Sequence, residues 1–151
     1  MMFTGEEKGM TDPADRERYM NRARRWFTEG WAGNVALADD LFSENVRTNA
    51  VLVGVAGPKR RIQERLAAFP DLATTIEDMF SAYDKVVTRL VWRGTHTGSY
   101  GGVEATGKRV EVRDFAVWRF EDGKVAEIST IQDQFGLLKQ IGYFPVEVYA
   151  A

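Results

Sequence analysis

The sequence contains no cysteine and a single histidine, His96. A chain without cysteine has no disulfide framework, no thiolate-bound iron–sulfur cluster and no thiol nucleophile. A zinc site needs about four nitrogen, sulfur or oxygen ligands, and sites that lack both thiolates and several imidazoles are uncommon. We therefore expect neither a metal nor another cofactor.

The chain also lacks a long apolar run and a strong excess of one charge. No segment reaches the roughly 18 consecutive apolar residues of a membrane-spanning helix, and the first residues do not form the apolar part of a signal peptide. The formal net charge is −2, from 20 basic and 22 acidic side chains, which argues against a nucleic acid as partner. These features predict a cytoplasmic protein that binds neither a membrane nor a nucleic acid.

Hydrophobic and aromatic side chains are present in the amounts that a folded domain requires. They make up 44% and 12% of the 151 residues, which is enough to fill a core and to line a pocket. The length is typical of one domain with one core. We expect a flexible tail over residues 1–10 and a single domain over residues 11–151.

The first seventy residues show mainly helical spacing. One helix is predicted to begin at Pro13, which suits the first helical position, with Thr11 or Asp12 as its N-cap. Two more helices are predicted in "NVALADDLF" and "GPKRRIQERLAAFP". The segment "NVRTNAVLVG" between them is predicted to be a strand.

After Pro70 the pattern alternates with the period of a strand. Strands are predicted in "ATTIEDMFSA", "KVVTRLVWRGTHTG", "KRVEVRDFAVWRF" and "VAEISTIQD", with a hairpin turn at "EDGK" and a short C-terminal helix at the end. Helices followed by consecutive antiparallel strands indicate an α+β fold, in which a curved antiparallel sheet wraps around the N-terminal helices. We expect a conical cavity between the two layers, where a ligand would bind.

Four segments resemble the SnoaL-like polyketide cyclases, also called ester cyclases. They are "WAGN" at 31–34, "DKVVTRLVWRGTHTG" at 84–98, "TGKRVEVRDFAVWRFEDGKVAE" at 106–127 and "DQFGLLKQIG" at 133–142. That family belongs to the cystatin-like α+β-barrel superfamily of nuclear transport factor two and ketosteroid isomerase. The resemblance implies this fold, a pocket for a small apolar or aromatic substrate, and a homodimer formed through the open face of the sheet.

The sequence departs from the family pattern in two places. Ala105 stands where the family often has Pro before Thr-Gly-Lys, and Glu127 is followed by Ile-Ser-Thr where the family often has His-Trp-Asp. A family member that uses this His, Trp or Asp in its chemistry therefore differs from this protein. Fold alone does not fix function in a superfamily that includes both enzymes and binding proteins.

Asp133 is the first candidate catalytic residue. It lies where the alternation of the last strand changes to the helical spacing of Phe135, Leu138 and Ile141. An Asp at this place can be the helix N-cap, whereas the resemblance implies that it points into the cavity as a general acid or base. In an apolar cavity, desolvation would raise its pKa toward the range that proton transfer near neutral pH requires.

His96 and Asp114 are the other candidate catalytic residues. The imidazole of His96, at a strand end, can carry a proton or can hold the glycine-rich loop by hydrogen bonds. Asp114 lies within a predicted strand, where it belongs either to a solvated ladder of ion pairs or to the cavity. With Arg89 or Arg113 and with Asp133, it would resemble the Asp-Arg-Asp set of epoxide hydrolases in the same superfamily.

Large side chains on the elements around the predicted cavity are candidate substrate-binding residues, of which two or three are expected to contact the ligand. The set comprises Trp26, Trp31, Met79, Arg89, Trp92, Phe115 and Trp118. Glu77 and Asp78 are adjacent, so only one of them can face the cavity. The basic runs "RARR" at 22–25 and "KRR" at 59–61 are predicted to lie on outer faces of helices.

Three functions fit these features. The first is a cofactor-independent enzyme that closes or isomerises a ring in an apolar polyketide-like or polycyclic substrate by aldol-type acid–base chemistry. The second is an epoxide hydrolase or epoxide-opening cyclase, which needs two acids in the cavity. The third is a binding protein that has the same pocket and performs no catalysis.

Overall fold

A computed structural model of the chain describes residues 12–143. The predicted tail at residues 1–10, the alternative N-cap Thr11 and the segment at 144–151 lie outside the described residues. The helices are α1 (Pro13–Arg25), α2 (Ala38–Leu41), α3 (Ala56–Ala68) and α4 (Gln134–Gln140), with a π-helical turn at Trp26–Gly30 and a 3₁₀ turn at Val35–Leu37. The strands are β1 (Phe42–Thr48), β2 (Val51–Leu52), β3 (Ala73–Ala82), β4 (Lys85–Thr95), β5 (Arg109–Glu121) and β6 (Lys124–Gln132).

The six strands form one curved sheet in the order β2-β1-β6-β5-β4-β3. All neighbouring strands are antiparallel except β1 and β6, which pair in parallel. Alternation along β5 defines the two faces of the sheet, because its even-numbered residues from 110 to 120 are buried and its odd-numbered residues from 109 to 117 are exposed. The predicted α+β architecture is confirmed.

The core lies between the helices and the buried face of the sheet. Tyr19 of α1 stacks on Phe120 of β5 with 4.4 Å between the ring centroids. Phe42 of β1 also stacks on Trp118, with 6.2 Å between the ring centroids. Ile62 of α3 belongs to the same core cluster. The helices therefore cover the even-numbered face of β5, and the odd-numbered face is left open.

The predicted single strand at "NVRTNAVLVG" is wrong, because this segment forms a hairpin. β1 ends at Thr48, β2 begins at Val51, and these two residues are paired. Asn49 and Ala50 between them both have positive φ, 48° and 66°, as tight hairpin turns of type I′ require. Asn adopts such angles readily and Ala does not, so the sequence carries only half of the usual turn signal.

The first helix begins where the sequence signals predict. The carboxylate of Asp12 accepts a hydrogen bond from the Ala14 N–H at 2.8 Å, and Pro13 is the first residue of α1. The helix predicted in "NVALADDLF" is shorter than expected, since only Ala38–Leu41 is α-helical and the residues before it form the 3₁₀ turn.

Residues 12–143 contain no helix that is long and apolar enough to cross a bilayer. Within the same range, no group of three or more His, Asp or Glu side chains is arranged to hold a metal ion. The cytoplasmic location and the lack of a cofactor stay predictions.

Candidate active site

A cavity of about 240 Å³ lies between α3, the π-helical turn and the buried face of β5 and β6. Most of its lining is apolar and aromatic, and its charged side chains come mainly from α3. The apolar lining includes Trp26, Phe27, Trp31, Ala116, Trp118 and Ile128. A cavity with this lining is suited to a flat apolar molecule.

The π-helical turn places three of these aromatic side chains. The Trp31 N–H donates to the Trp26 carbonyl at 2.9 Å, five residues earlier, and helical turns widened in this way recur at functional sites. Gly30 is required here, because a Cβ atom would lie 2.2 Å from the Trp26 ring. Phe27 meets Trp31 and Trp118 edge to face, with centroids 5.0 and 5.3 Å away. This short segment therefore builds a well-packed aromatic wall.

Asp114 presents a buried carboxylate to the cavity. Its side chain lies on the covered face of β5 and the residue is 4% exposed. The Thr130 hydroxyl of β6 donates to Oδ1 of Asp114 at 3.1 Å. Burial raises the pKa of Asp114 above its ordinary value, although Arg65, Arg61 and the Thr130 hydrogen bond oppose the change. A carboxyl group with a raised pKa is better matched to proton transfer near neutral pH.

Arg65 of α3 brings a buried cation to the same cavity. The residue is 4% exposed, and its guanidinium carbon lies 4.4 Å from the ring centroid of Trp31 and 5.0 Å from that of Trp92. Its Nη2 donates to Oε1 of Gln132 at 2.8 Å. Burial first, and Arg61 second, lower the pKa of Arg65 to about 10, so the group is cationic at neutral pH. The two indole rings replace part of the hydration that the cation loses.

Helix α3 is the part of the site that the sequence analysis missed. Arg60, Arg61, Glu64 and Arg65 all line the cavity. Arg60 and Arg61 are exposed, as predicted for "KRR" at 59–61, but their exposed face borders the cavity. A signal for Arg65 was present, because it lies three residues after Ile62 in the buried stripe of the helix. The sequence carried no such signal for Arg61, which is exposed at the rim of the cavity.

The structure places Asp133 outside the lining of the cavity. Asp133 is the N-cap of α4, and its Oδ1 accepts from the Gly136 N–H at 2.8 Å. The residue is exposed. Because β6 ends at Gln132, the alternation of the strand no longer determines the direction of the next side chain. The prediction that Asp133 points into the cavity is therefore wrong, and its alternative role as a helix N-cap is confirmed.

His96 is fully buried in the core and does not line the cavity. Its Nδ1 accepts from the Thr106 N–H at 3.2 Å and lies 2.9 Å from the Thr106 hydroxyl. Its carbonyl accepts from the Gly107 N–H at 2.8 Å. These contacts support the structural interpretation, in which His96 holds the glycine-rich loop, and they place its imidazole away from a ligand in the cavity.

The arginines expected beside Asp114 lie on the open face of the sheet. Arg89 and Arg113 both approach the carboxylate of Glu77, so a ladder of ion pairs exists there without Asp114. Arg113 precedes Asp114 in the strand and therefore points to the opposite face. The prediction that Asp114 belongs to a solvated ladder is wrong, and so is its grouping with Asp133. Its cationic neighbours come from α3 instead.

Three of the candidate substrate-binding residues line the cavity, namely Trp26, Trp31 and Trp118. The other candidates do not: Met79, Arg89, Trp92 and Phe115. Trp92 is buried in the core and Phe115 is 50% exposed on the open face. Neither Glu77 nor Asp78 lines the cavity, because the register shifts between Ile76 and Asp78 and leaves both acids exposed.

Comparison with known proteins identifies the family. A model of the SnoaL-like polyketide cyclase family matches residues 21–141, and the chain belongs to this family. No curated protein shows a significant match to the sequence. The resemblance seen in the sequence is therefore confirmed, and membership indicates an enzyme of cyclase-like function.

Solved structures show the same nuclear transport factor two-like fold. A candidate SnoaL-like polyketide cyclase from Jannaschia sp. CCS1 is 22% identical with a TM-score of 0.80, over 93% of this chain and 100% of that chain. TsrD from Streptomyces laurentii is 27% identical with a TM-score of 0.75, over 88% and 98% of the two chains. IdmH from Streptomyces antibioticus, described as a candidate polyketide cyclase, is 25% identical with a TM-score of 0.73, over 82% and 98%.

Proposed function

We propose that the protein closes or isomerises a ring in an apolar, polyketide-like substrate by proton transfer through Asp114. The observation that carries the proposal is a carboxylate, 4% exposed, that faces a largely apolar cavity of about 240 Å³ with four aromatic side chains in its lining. An apolar substrate would displace water from this cavity and would place its reacting carbon beside the carboxylate. The family name and the description of IdmH as a candidate polyketide cyclase support the same reaction class.

One carboxylate is sufficient for the proposed chemistry. The ionised carboxylate of Asp114 takes a proton from the carbon next to a substrate carbonyl, and an enolate forms. The enolate carbon then bonds to a second carbonyl carbon, and the resulting alkoxide takes the proton back from Asp114. In an isomerisation the proton returns to a different carbon. The enzyme ends each cycle in the protonation state in which it began.

Side chains around Asp114 support both the removal of the substrate proton and its return. The hydroxyl of Thr130 donates to Asp114 at 3.1 Å and holds the carboxylate in one orientation. Arg61 and Arg65 supply positive charge along the cavity, which stabilises an enolate more than it stabilises the neutral ketone. Preorganised charge of this kind is usually the largest contribution to catalysis, and it counts for more where water is excluded.

The enolate step can be tested without the natural substrate. Proton NMR in D₂O measures the exchange of the acidic C–H of aromatic β-ketoesters, in a panel chosen to span the size of the cavity. We expect the protein to accelerate exchange in the members that fit. Asp114→Asn should lower the catalysed rate by about 10²–10⁴-fold, the usual contribution of a positioned acid–base group.

Asp133→Asn is the matched control for this experiment. It makes the same chemical change outside the cavity, and Asn also serves as a helix N-cap. We expect its exchange rate to equal that of the wild type. Full exchange by Asp114→Asn, or equal losses in both variants, contradicts the proposed function.

Epoxide opening is the alternative reaction, because a second acid lines the cavity. Among the described residues the acids in the lining are Asp114 and Glu64, and Glu64 is exposed at the rim. In this reaction one acid activates water and the other, with an arginine, handles the epoxide oxygen. Hydrolysis of an aromatic epoxide that is lost in both Asp114→Asn and Glu64→Gln would favour this alternative.

A non-catalytic binding protein is the third possibility, and it makes a distinct prediction. Such a protein would bind the aromatic β-ketoesters in the cavity without exchanging their acidic C–H. Its affinity for them would also be the same in Asp114→Asn. Binding by calorimetry combined with exchange by NMR separates this case from both enzymes.

We also propose that the protein is a homodimer whose interface is the open face of the sheet. Phe115 of β5 and Ile131 of β6 are neighbours in register and are 50% and 77% exposed, and Val117 nearby is 38% exposed. An exposed apolar patch of this kind marks an interaction surface. Light scattering should give twice the mass of the chain for the wild type and a monomer for Ile131→Lys. A monomeric wild type contradicts the proposal.

A further inference from the structure

The lining of the cavity contains more basic than acidic side chains. Three are arginines and two are acids: Arg60, Arg61, Arg65, Glu64 and Asp114. Within residues 12–143, none of these arginines forms an ion pair with a carboxylate, and the recorded hydrogen bond of Arg65 goes to the neutral amide of Gln132. Arginines on the open face of the sheet behave differently, since Arg93 meets Glu111 at 2.8 Å.

Arg65 is the most informative of the three arginines. A cation that is 4% exposed and lacks an anionic partner is unfavourable, and the indole rings of Trp31 and Trp92 offset only part of that cost. Gln132 occupies one N–H of a planar guanidinium that has several. The side chain lines the cavity, so its other donors are available to a ligand. An anionic oxygen would complete its set of partners.

Asp114 is not the anionic contact partner of Arg65. Asp114 and Arg65 both line the cavity but form no ion pair with each other, as far as residues 12–143 show. Asp114 interacts with Arg61 and Arg65 through its charge, but among residues 12–143 no carboxylate is in ion-pair contact with either arginine. Arg65 lies inside the cavity and Arg61 lies one helical turn away at the rim.

We propose that the ligand of this cavity is an aromatic or polyketide-like carboxylic acid, whose carboxylate binds Arg61 and Arg65. Its ring system would lie against Trp26, Phe27 and Trp118. A guanidinium group matches a carboxylate in both charge and planar geometry, whereas a neutral ester or ketone would leave these groups without an anionic partner. This inference rests on the proposed function in placing the substrate in the same cavity, and it adds the charge that the substrate carries.

The test compares two probes of the same shape and different charge. 2-Naphthoate carries a carboxylate and 2-naphthamide carries a neutral amide on the same ring system. Isothermal titration calorimetry near neutral pH gives the Kd of each. We expect the wild type to bind 2-naphthoate at least about tenfold more tightly, because hydrogen bonds to charged groups are the stronger ones.

Variants assign this preference to the arginines. Arg61→Gln, at an exposed position, should weaken 2-naphthoate several-fold and leave 2-naphthamide unchanged. Arg65→Gln should remove most of the preference, with circular dichroism as a check that it folds. Arg18→Gln is the matched control, since Arg18 lies on α1 with 57% of its side chain exposed and is not part of the cavity lining. Ala116→Leu, which narrows the cavity, should weaken both probes.

Asp114→Asn gives an independent arm, because it removes a carboxylate from the lining of the same cavity. It should bind 2-naphthoate more tightly than the wild type and 2-naphthamide equally well. Equal affinities of the wild type for the two probes, a preference that is unchanged in Arg61→Gln, or no binding of either probe overturns the inference. Failure of the proposed function would appear instead in the α-proton exchange assay, as full exchange by Asp114→Asn or as equal losses in Asp114→Asn and Asp133→Asn.

Discussion

Replacing Asp114 by Asn should stabilise the protein at neutral pH. The side chain is 4% exposed, and burial raises the pKa of the carboxyl group in the folded chain. Below the pKa of the unfolded chain, near 3.9, the group is protonated in both states and costs nothing. As pH rises, the unfolded chain loses its proton first, so the wild type loses stability until the pH passes the pKa of the folded state.

The magnitude follows from the same linkage. Each unit by which the folded pKa exceeds the unfolded one destabilises the wild type by about 1.4 kcal/mol at neutral pH. Asn keeps a carbonyl oxygen that can accept the hydrogen bond of Thr130, and it avoids the desolvated charge. We therefore expect Asp114→Asn to exceed the wild type by more than about 0.5 kcal/mol, the usual spread of surface substitutions.

Urea denaturation at a series of pH values between about 4 and 7 measures this difference. The gap between Asp114→Asn and the wild type should widen as pH rises through this range and should then become constant. Asp122→Asn is the matched control, because Asp122 is exposed in a turn with φ of 50° that Asn tolerates. A gap that is independent of pH, or that narrows as pH rises, refutes the placement of Asp114 in a desolvated site.

Three further predictions concern the stability of the fold. Gly98→Ala should destabilise the protein by more than the ~1–3 kcal/mol of ordinary overpacking, because its Cβ would lie 2.1 Å from the Ala67 carbonyl oxygen; an unchanged melting temperature would contradict this. Asp133→Ala should cost about 0.5–2 kcal/mol in urea denaturation through loss of the N-cap, while Asp133→Asn keeps the cap; equal stabilities of the two variants would argue against it. Thr88→Val removes the acceptor that the Trp118 indole N–H meets at 3.1 Å and should cost ~1–3 kcal/mol, whereas Thr88→Ser should retain most of the stability.

The alternation of β5 was readable from the sequence and already contained the position of Asp114. In "RVEVRDFAVWRFE" the residues Val110, Val112, Asp114, Ala116 and Trp118 share one parity, and all of them are buried. The apolar members identify this as the covered face, so Asp114 belongs there by alternation alone. The ion-pair interpretation gave more weight to nearby arginines than to the parity of the strand.

The arginine partners of Asp114 depended on tertiary packing. Arg61 and Arg65 reach the cavity because α3 faces β5 and β6 from its other side, and local periodicity does not encode which strands a helix will face. The predicted direction of the Asp133 side chain was wrong for a related reason, since β6 ends one residue before it and Asp133 is already the N-cap of α4. A hydrophobic pattern predicts the elements and their faces, and it carries less information at their ends.

The most direct test of the central claim is the pH dependence of α-proton exchange, measured as kcat/KM with the best β-ketoester of the panel. If the Asp114 carboxylate is the base, the rate should rise with pH through one midpoint that lies above the ordinary Asp value of about 3.9. The midpoint should coincide with the pH at which the stabilities of the wild type and Asp114→Asn stop diverging, and the rise should be absent in Asp114→Asn. A profile that is flat, or that persists unchanged in Asp114→Asn, would show that proton transfer does not run through this carboxylate.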